Sequence, residues 1–287
     1  MPEKKRVDVA LFERGLAPSR ERAQALVMSG VVYIGERRVD KASARVEEGD
    51  ELSVRQSGTG YVSRGALKLK KGLSVFGVDP SGVVAMDLGA STGGFTDVLL
   101  QAGAAHVYAV DVGYGQLDWK LRGDPRVTVM ERTNARYLKP EDVPLRPTLG
   151  VMDVSFISIT KILPAAVSIL GEEGAFISLI KPQFEAGRER VGKKGVVRDK
   201  QVHEDVVLEI LRFVKEELGW AMQGLSFSPI RGPEGNIEFL AYLLPCSRAT
   251  HDVTPEEVAQ VVREAHESLS SARGAEREEG HDPQGAL

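Results

Sequence analysis

The sequence predicts an α/β protein: a Rossmann-like sheet of seven strands whose last strand runs antiparallel, preceded by a small α+β module. Three observations carry this expectation. From residue 83 onward, short apolar runs alternate with helical segments, the pattern of a parallel sheet covered by helices. A glycine-rich turn follows the first of those runs. Residues 4–45 differ from the rest in charge, with ten Lys/Arg against five Asp/Glu in a chain whose net charge is −4.

The chain has 287 residues, 42% hydrophobic and 27% charged, an ordinary composition for a soluble globular protein of about two domains. One cysteine, Cys246, excludes an internal disulfide and suits a reducing, cytoplasmic setting; we expect it to be a small, partly buried residue. No apolar run approaches the ~20 residues of a membrane span. The basic N-terminal stretch lacks the apolar core of a secretory signal. A basic module on an otherwise acidic chain suggests a patch for a polyanion.

The small module reads in order as a helical face from Val7 to Leu16 and a second helix from Arg20 to Ser29, N-capped by Ser19 and stopped at Gly30. A hairpin follows over Val31–Ile34 and Arg38–Val39, then a strand over Glu51–Val54. Arg20, Arg22, Arg37, Arg38 and Lys41 gather around one helix and one hairpin and are candidates for RNA contact. The glycine- and serine-rich residues 56–60 read as a linker, dividing the chain into 1–55, 56–60, 61–272 and a disordered tail, 273–287. Arg64, Lys70 and Lys71 lie on or just before a helix around Leu67–Phe76 and join the RNA-contact candidates. A further patch is Arg188, Arg190, Lys193 and Lys194. Each of these charges also reads as an ordinary solvated group.

Strands are expected at Val83–Leu88, His106–Val112, Val127–Met130, Leu149–Val154, Ala175–Ile180, Met222–Ser228 and Ile237–Leu244. Helices fall near Phe95–Ala102, Lys161–Leu170 and Gln201–Leu218. No helix separates the last two strands, so they should pair antiparallel. Thr254-Pro255-Glu256-Glu257 is a capping box that starts a final helix ending near Ser271.

The turn Asp87-Leu88-Gly89-Ala90-Ser91-Thr92-Gly93-Gly94-Phe95 joins a strand to a helix start. Glycines there let backbone approach a ligand, and the helix N-terminus favours a carboxylate or phosphate. Asp111 follows 22 residues after Gly89, where a carboxylate can accept ribose hydroxyls. A nicotinamide or an S-adenosylmethionine site would both fit. The departure from G-x-G-x-x-G and the additional Asp87 suit the second better. Asn134, after the third strand, meets an adenine edge or simply forms a turn. The cofactor-binding candidates are Asp87, Gly89, Ser91, Gly93, Gly94, Phe95, Asp111, Val112, Asn134 and Asp153.

Ligands of such sheets sit at the carboxyl ends of the parallel strands. Asp153 and Lys181 lie at two of those ends. Glu238 opens the antiparallel strand and so falls on the same edge, and Lys68 comes from a helix able to fold over it. Each reads alone as a solvated strand-end residue. Together they form an interleaved network of ammoniums and carboxylates, in which burial can lower a lysine pKa and make it a base.

These residues resemble the Lys-Asp-Lys-Glu tetrad of the FtsJ-like ribose methyltransferases. The segments Tyr61-Val62-Ser63-Arg64-Gly65-Ala66-Leu67-Lys68, Asp87 to Thr96, Asp153-Val154-Ser155-Phe156-Ile157-Ser158 and Ile180-Lys181-Pro182-Gln183-Phe184-Glu185 resemble signatures of the TlyA family, whose members also carry the hemolysin A label. Residues 6–54 resemble that family's RNA-binding module, of the type named after ribosomal protein S-four. The resemblance implies a methyltransferase sheet, S-adenosyl-L-methionine as cofactor, no metal, ribosomal RNA or ribosomal subunits as partner, and 2′-O-methylation of ribose. It carries the catalytic roles to Lys68, Asp153, Lys181 and Glu238, with Lys181 handling the hydroxyl proton. The glycine- and serine-rich linker departs from the Trp-Pro-containing joint of some members. Rival readings are a pore-forming hemolysin, a non-catalytic RNA-binding assembly factor and a nicotinamide oxidoreductase.

Overall fold

The computed structural model describes residues 4–55, 59–192 and 194–278. The N-terminal elements are β1 (Lys5–Arg6), α1 (Val7–Glu13), α2 (Arg20–Met28), β2 (Val32–Ile34), β3 (Arg37–Arg38), β4 (Arg45–Val46) and β5 (Leu52–Val54). Ser19 caps α2 by accepting from the Arg22 N–H at 3.1 Å, and Gly30 takes the left-handed φ of +73° that ends this helix. β2 pairs antiparallel with both β3 and β5, so the expected hairpin forms. The two-residue ladder of β1 and β4, Lys5 with Val46 and Arg6 with Arg45, has no counterpart in the sequence expectation, because such a short strand has no readable period. Val7, Leu11, Ala23, Val27, Val32 and Val46 close a separate small core.

The larger body continues with α3 (Ala66–Phe76), β6 (Val84–Leu88), α4 (Gly94–Gln101), β7 (His106–Val110), α5 (Trp119–Arg122), β8 (Val127–Met130), β9 (Leu149–Met152) and α6 (Leu163–Leu170). It ends with β10 (Ala175–Ile180), α7 (Pro182–Glu185), α8 (Lys200–Leu218), β11 (Trp220–Phe227), β12 (Phe239–Pro245) and α9 (Pro255–Glu278). Seven strands lie in the order β11-β12-β10-β9-β6-β7-β8. β12 lies between β10 and β11, antiparallel to both, so it alone runs against the other six strands. The chain thus winds outward from β6 in both directions, and the order reverses between β6 and β9. That is where a doubly wound sheet opens a crevice at its carboxyl edge.

Alternation along the strands divides the core. Met86, Leu88, Tyr108 and Val110 face α6, α8 and α9. Ala85, Val107 and Ala109 face α3 and α4. Gly150, at the centre of the sheet, is crossed by the Phe176 ring, and a Cβ there would overlap it.

Several boundaries differ from expectation, each at a place where a tertiary contact sets the end. β9 stops at Met152 and β7 at Val110, so Asp153 and Asp111 stand just past their strands. β12 begins at Phe239, one residue after Glu238. The short helices α5 and α7 follow loops and carry too few turns to show a period. Thr254 and Glu257 form the expected reciprocal cap, at 2.8 and 3.3 Å. The helix they start runs to Glu278, past the expected end at Ser271 and into the stretch expected to be disordered, whose residues 279–287 fall outside the described residues. Of the expected linker, residues 56–58 also fall outside them. Cys246 is exposed rather than partly buried, since it follows β12 on the turn into the last loop.

Gly150→Ala should cost roughly 1–3 kcal/mol through overpacking against Phe176. Chemical denaturation should show the midpoint falling at unchanged slope; a midpoint equal to the parent would contradict the packing described.

Candidate active site

Four charged side chains form one connected chain at the carboxyl edge. Lys68, on the inward face of α3, is only 6% exposed and lies 2.7 Å from Glu238 Oε2 and 3.2 Å from Asp153 Oδ2. Lys181 caps β10 and lies 2.5 Å from Asp153 Oδ1. The order in space is therefore Glu238, Lys68, Asp153, Lys181. Glu238 pairs with Lys68 and not with Lys181, because β12 sits beside α3 on that side. The ion pairs to Asp153 Oδ1 and Glu238 Oε2 are close in distance but are not aligned hydrogen bonds, so both buried oxygens keep acceptor capacity.

Electrostatics order these groups. Burial by itself would push the Lys68 ammonium toward deprotonation, but Asp153 and Glu238 together reverse this and raise its pKa above the ordinary lysine value. Burial also opposes the charge of Asp153, yet Lys181 and Lys68 overcome it and hold the carboxyl down to about 2. Two carboxylates and two lysines in one pocket compensate one another, which is how buried charge becomes tolerable.

The glycine turn lies beside this chain. Gly89 has φ +85°, and a Cβ there would stand 2.9 Å from the Asp153 carbonyl oxygen. Gly93 has φ +97°, and its Cβ would overlap Leu121; a Cβ on Gly94 would overlap the Ser63 hydroxyl. The turn is thus packed tightly from behind, and Ser91 within it has φ +49°. Asp111 accepts from the Ser91 N–H at 2.8 Å through Oδ2 and from the Gly113 N–H at 2.7 Å through Oδ1, which fixes its carboxylate at the mouth of the turn. A carboxylate has lone pairs left for vicinal hydroxyls after two such bonds.

Other expected cofactor residues are placed differently from one another. Asp87 is fully buried beneath the turn. Its Oδ2 accepts from the Thr96 N–H at 2.9 Å and the Thr96 hydroxyl at 2.7 Å, while its Oδ1 has no partner. Burial pushes this carboxyl up to about 7 against the pull of Thr96, with the charges of Asp153 and Asp111 adding to the rise. Phe95 points its ring into the core shared with Leu99 and Leu117, so only its backbone faces the turn. Val112 is 69% exposed. Asn134 caps a single helical turn, its Oδ1 accepting from the Arg136 N–H at 3.1 Å.

Ser155 and Phe156, which nothing in the local sequence distinguishes, stand just past Asp153. The Lys181 ammonium donates to Ser155 Oγ at 3.0 Å. Phe156 is a non-glycine residue at φ +66°, is 86% exposed, and meets the Phe184 ring at 5.2 Å between centroids. A large exposed aromatic on strained backbone beside buried charges is a recognisable site signal, and only coordinates reveal it. Phe156, Phe184, Gln183 and Arg188 line a cleft of about 460 Å³.

The expected RNA contacts divide. Arg20 and Arg37 are exposed, although Arg20 approaches Asp8 at 3.6 Å. Arg38 pairs with Asp40 at 2.8 Å and Lys41 with Glu234. Arg22 is turned inward instead: its guanidinium donates to the Gln116 carbonyl and lies 3.2 Å from Asp118 of the larger body. Arg64 packs beneath Gly30. Lys70 is exposed near the Tyr61 ring, and Lys71 is half-buried with its ammonium 3.5 Å from the centre of Phe227. Arg190 pairs with Asp205 and Glu209, Arg188 and Lys194 are exposed, and Lys193 lies outside the described residues. Among the described residues, no three metal-ligating side chains converge, and no helix is long and apolar enough to cross a membrane.

Comparison with known proteins follows the same two-part division. Residues 61–244 match the model of an FtsJ-like methyltransferase, and residues 5–52 match an S4 domain. The chain is 47% identical over 244 residues to the 16S/23S rRNA (cytidine-2′-O)-methyltransferase TlyA of Mycobacterium tuberculosis, covering 85% of this chain and 91% of that one. It is 39% identical over 240 residues to Hemolysin A of Brachyspira hyodysenteriae, covering 83% of this chain and 99% of that one. A solved structure from Streptococcus thermophilus, carrying a hemolysin label, superposes with a TM-score of 0.75 at 45% identity, covering 96% of this chain and 99% of that one.

The buried titratable groups set opposing pH responses. Asp87 has a native value of about 7 against 3.8 when unfolded, so the native state retains a proton that the unfolded chain has lost, and stability falls as pH rises from 3.8 to about 7. His203, fully buried against Phe239 and His266, is lowered from 6.5 to about 4, first by burial and then by His266; the unfolded chain binds a proton the native state refuses, and stability rises from about pH 4 to 6.5. Thermal melts of the ligand-free protein should therefore slope gently over this window. Asp87→Asn should melt higher as pH rises from 4.5 to 6.5, and His203→Gln lower. Identical slopes in parent and both variants would refute the assignment.

Proposed function

The chain belongs to the FtsJ-like methyltransferase family, with an S4 domain at its N-terminal end, and from that premise we propose that it methylates ribose 2′-hydroxyls of ribosomal RNA using S-adenosylmethionine. The observation that carries this reading is the buried Glu238–Lys68–Asp153–Lys181 chain beside a glycine turn and a ribose-accepting carboxylate.

The pocket suits the cofactor on grounds of its own. Gly89 and Gly93 take the left-handed φ that this tightly packed turn requires, and two backbone N–H groups fix the Asp111 carboxylate beside it with lone pairs left for vicinal hydroxyls. Gly89, Ser91, Gly93 and Gly94 would cradle the donor, with Asp111 on its ribose. When bound, the donor supplies an electrophilic methyl on a sulfonium. The protein's own task is then to aim a sugar oxygen and dispose of its proton.

Within the four-group chain the two lysines have different work. Lys68 is held as an ammonium between two carboxylates and acts as the fixed positive charge. Lys181 is at the free end, bounded by Asp153 and the Ser155 hydroxyl, and is the group assigned to take or steer the 2′-hydroxyl proton. Asp153 touches both lysines and couples them. With Lys181 neutral at the moment of transfer, its amine takes the 2′-hydroxyl proton as the oxygen attacks, and Asp153 stabilises the ammonium so formed. General-base help of this kind is worth roughly 10²–10⁴ in rate.

Arg20 and Arg37 are the exposed positive groups that the small module offers to the RNA backbone. The exposed Phe156 ring offers a stacking face to a nucleobase turned out of its helix, as ribose chemistry at a structured RNA requires.

Lys181→Ala should lose tritium transfer from S-adenosylmethionine to ribosomal subunits by at least about 100-fold, while calorimetric titration still shows cofactor binding. Undiminished turnover would remove Lys181 from the role; parent protein that binds no cofactor would remove the whole reading.

A further inference from the structure

The segment Asp153–Ser158 carries a catalytic carboxylate, a hydroxyl on Lys181 and a strained aromatic, yet it is a loop. Its first residue is anchored to the sheet, with the Asp153 N–H donating to the Leu88 carbonyl at 3.1 Å. Its far end is anchored by one side chain. Glu185 accepts from the Ser158 hydroxyl at 2.6 Å and from the Ile159 N–H at 2.9 Å, using one oxygen for each. The second bond satisfies a free N–H at the start of the helical turn Ile159–Lys161.

Glu185 lies four residues after Lys181, at the other end of α7. Lys181 is the extended residue that leads into α7, so both side chains are set by the same short turn. Lys181 holds Ser155 and Glu185 holds Ser158, so one rigid helical turn grips one loop at two points three residues apart. Phe156 lies between the grips, its ring against Phe184 of the same short helix. A non-glycine residue at positive φ costs about 1–3 kcal/mol and persists only where its surroundings enforce it. The two grips and the ring contact are that enforcement. Burial raises the Glu185 carboxyl, opposed by Ser158 and Ile159, so the group is placed there at a cost that surface solvation would have spared it.

We infer that Glu185 is a positioning residue for methyl transfer: by clamping Ser158 and Ile159 it fixes Asp153, Ser155 and Phe156 against the strand end that carries Lys181. This rests on the methyltransferase reading, and it leaves the cofactor turn untouched. Loss of the clamp should therefore act on turnover, not on donor affinity.

The test uses the full chain. Glu185→Ala should lower kcat on ribosomal subunits by about 10–100-fold, the scale of a misplacement near 1 Å, with cofactor Kd within about threefold of the parent. Glu185→Gln should recover most of the loss, since its carbonyl still accepts from Ile159 and its amide can donate to Ser158 Oγ in place of the bond that Glu185 accepts. Ser158→Ala should lose part of the activity, and combining it with Glu185→Ala should cost less than the product of the two separate losses. Hydrogen exchange by mass spectrometry gives a readout without activity: residues 153–159 should exchange faster in Glu185→Ala while residues 87–96 do not. Parent protein that transfers no methyl would sink the methyltransferase reading, with exchange still deciding the clamp. An unchanged kcat in Glu185→Ala, unchanged exchange over 153–159, or Gln behaving no better than Ala overturns the inference. Should Glu185→Ala fail to fold, Ser158→Ala and Glu185→Gln decide it on the same readouts.

Discussion

Lys68 sits between Asp153 and Glu238, and that contact constrains everything around it. A buried ammonium flanked by two buried carboxylates is stable only while all three are present. Removing one partner of such a pairing typically costs about 3–5 kcal/mol, because the remaining charge is left without compensation. The contact therefore holds α3 against the ends of β9 and β12, three pieces of chain distant in sequence. It also leaves one negative charge for Lys181. The site's charge balance and its shape thus come from a single arrangement.

The sheet makes that arrangement possible. Parallel strands place their carboxyl ends on one edge, so Asp87, Asp111, Asp153 and Lys181 all approach it from β6, β7, β9 and β10. Glu238 joins them because β12 is inverted, so that its beginning meets the others' ends. Burial on both faces by α3 and α4 on one side and α6, α8 and α9 on the other lowers the local polarity, which strengthens each charge interaction and makes each unpaired group costly. Asp87 shows the second effect, pushed up to about 7 with one oxygen lacking a partner. Asp153 shows the first, held down to about 2 by two ammoniums.

The small module contributes in two directions. Arg20 and Arg37 face outward. Arg22 faces the larger body and contacts the Gln116–Asp118 loop, whose Asp118 N–H donates to the Thr92 carbonyl in the glycine turn. The basic excess of the first 45 residues is therefore partly a surface for polyanions and partly an internal joint. Charge counting cannot distinguish the two, since the outward Arg20 and the inward Arg22 lie on one helix.

The sequence by itself determined the alternation that makes the sheet, the inversion of the last strand, the glycine turn, and the four charged residues that meet at one edge. These are local or periodic features: strand and helix periods, backbone freedom at glycine, and the rule that parallel strands share an edge. Tertiary structure alone decided which charge pairs with which, that Glu238 belongs to Lys68, and that Arg22 and Lys71 turn inward. It also decided that Phe156 stands exposed at positive φ, held by Glu185 and Lys181. Such outcomes depend on distances between residues far apart in the chain. A pairing energy exists only once packing has set that distance and excluded the water that would otherwise screen it.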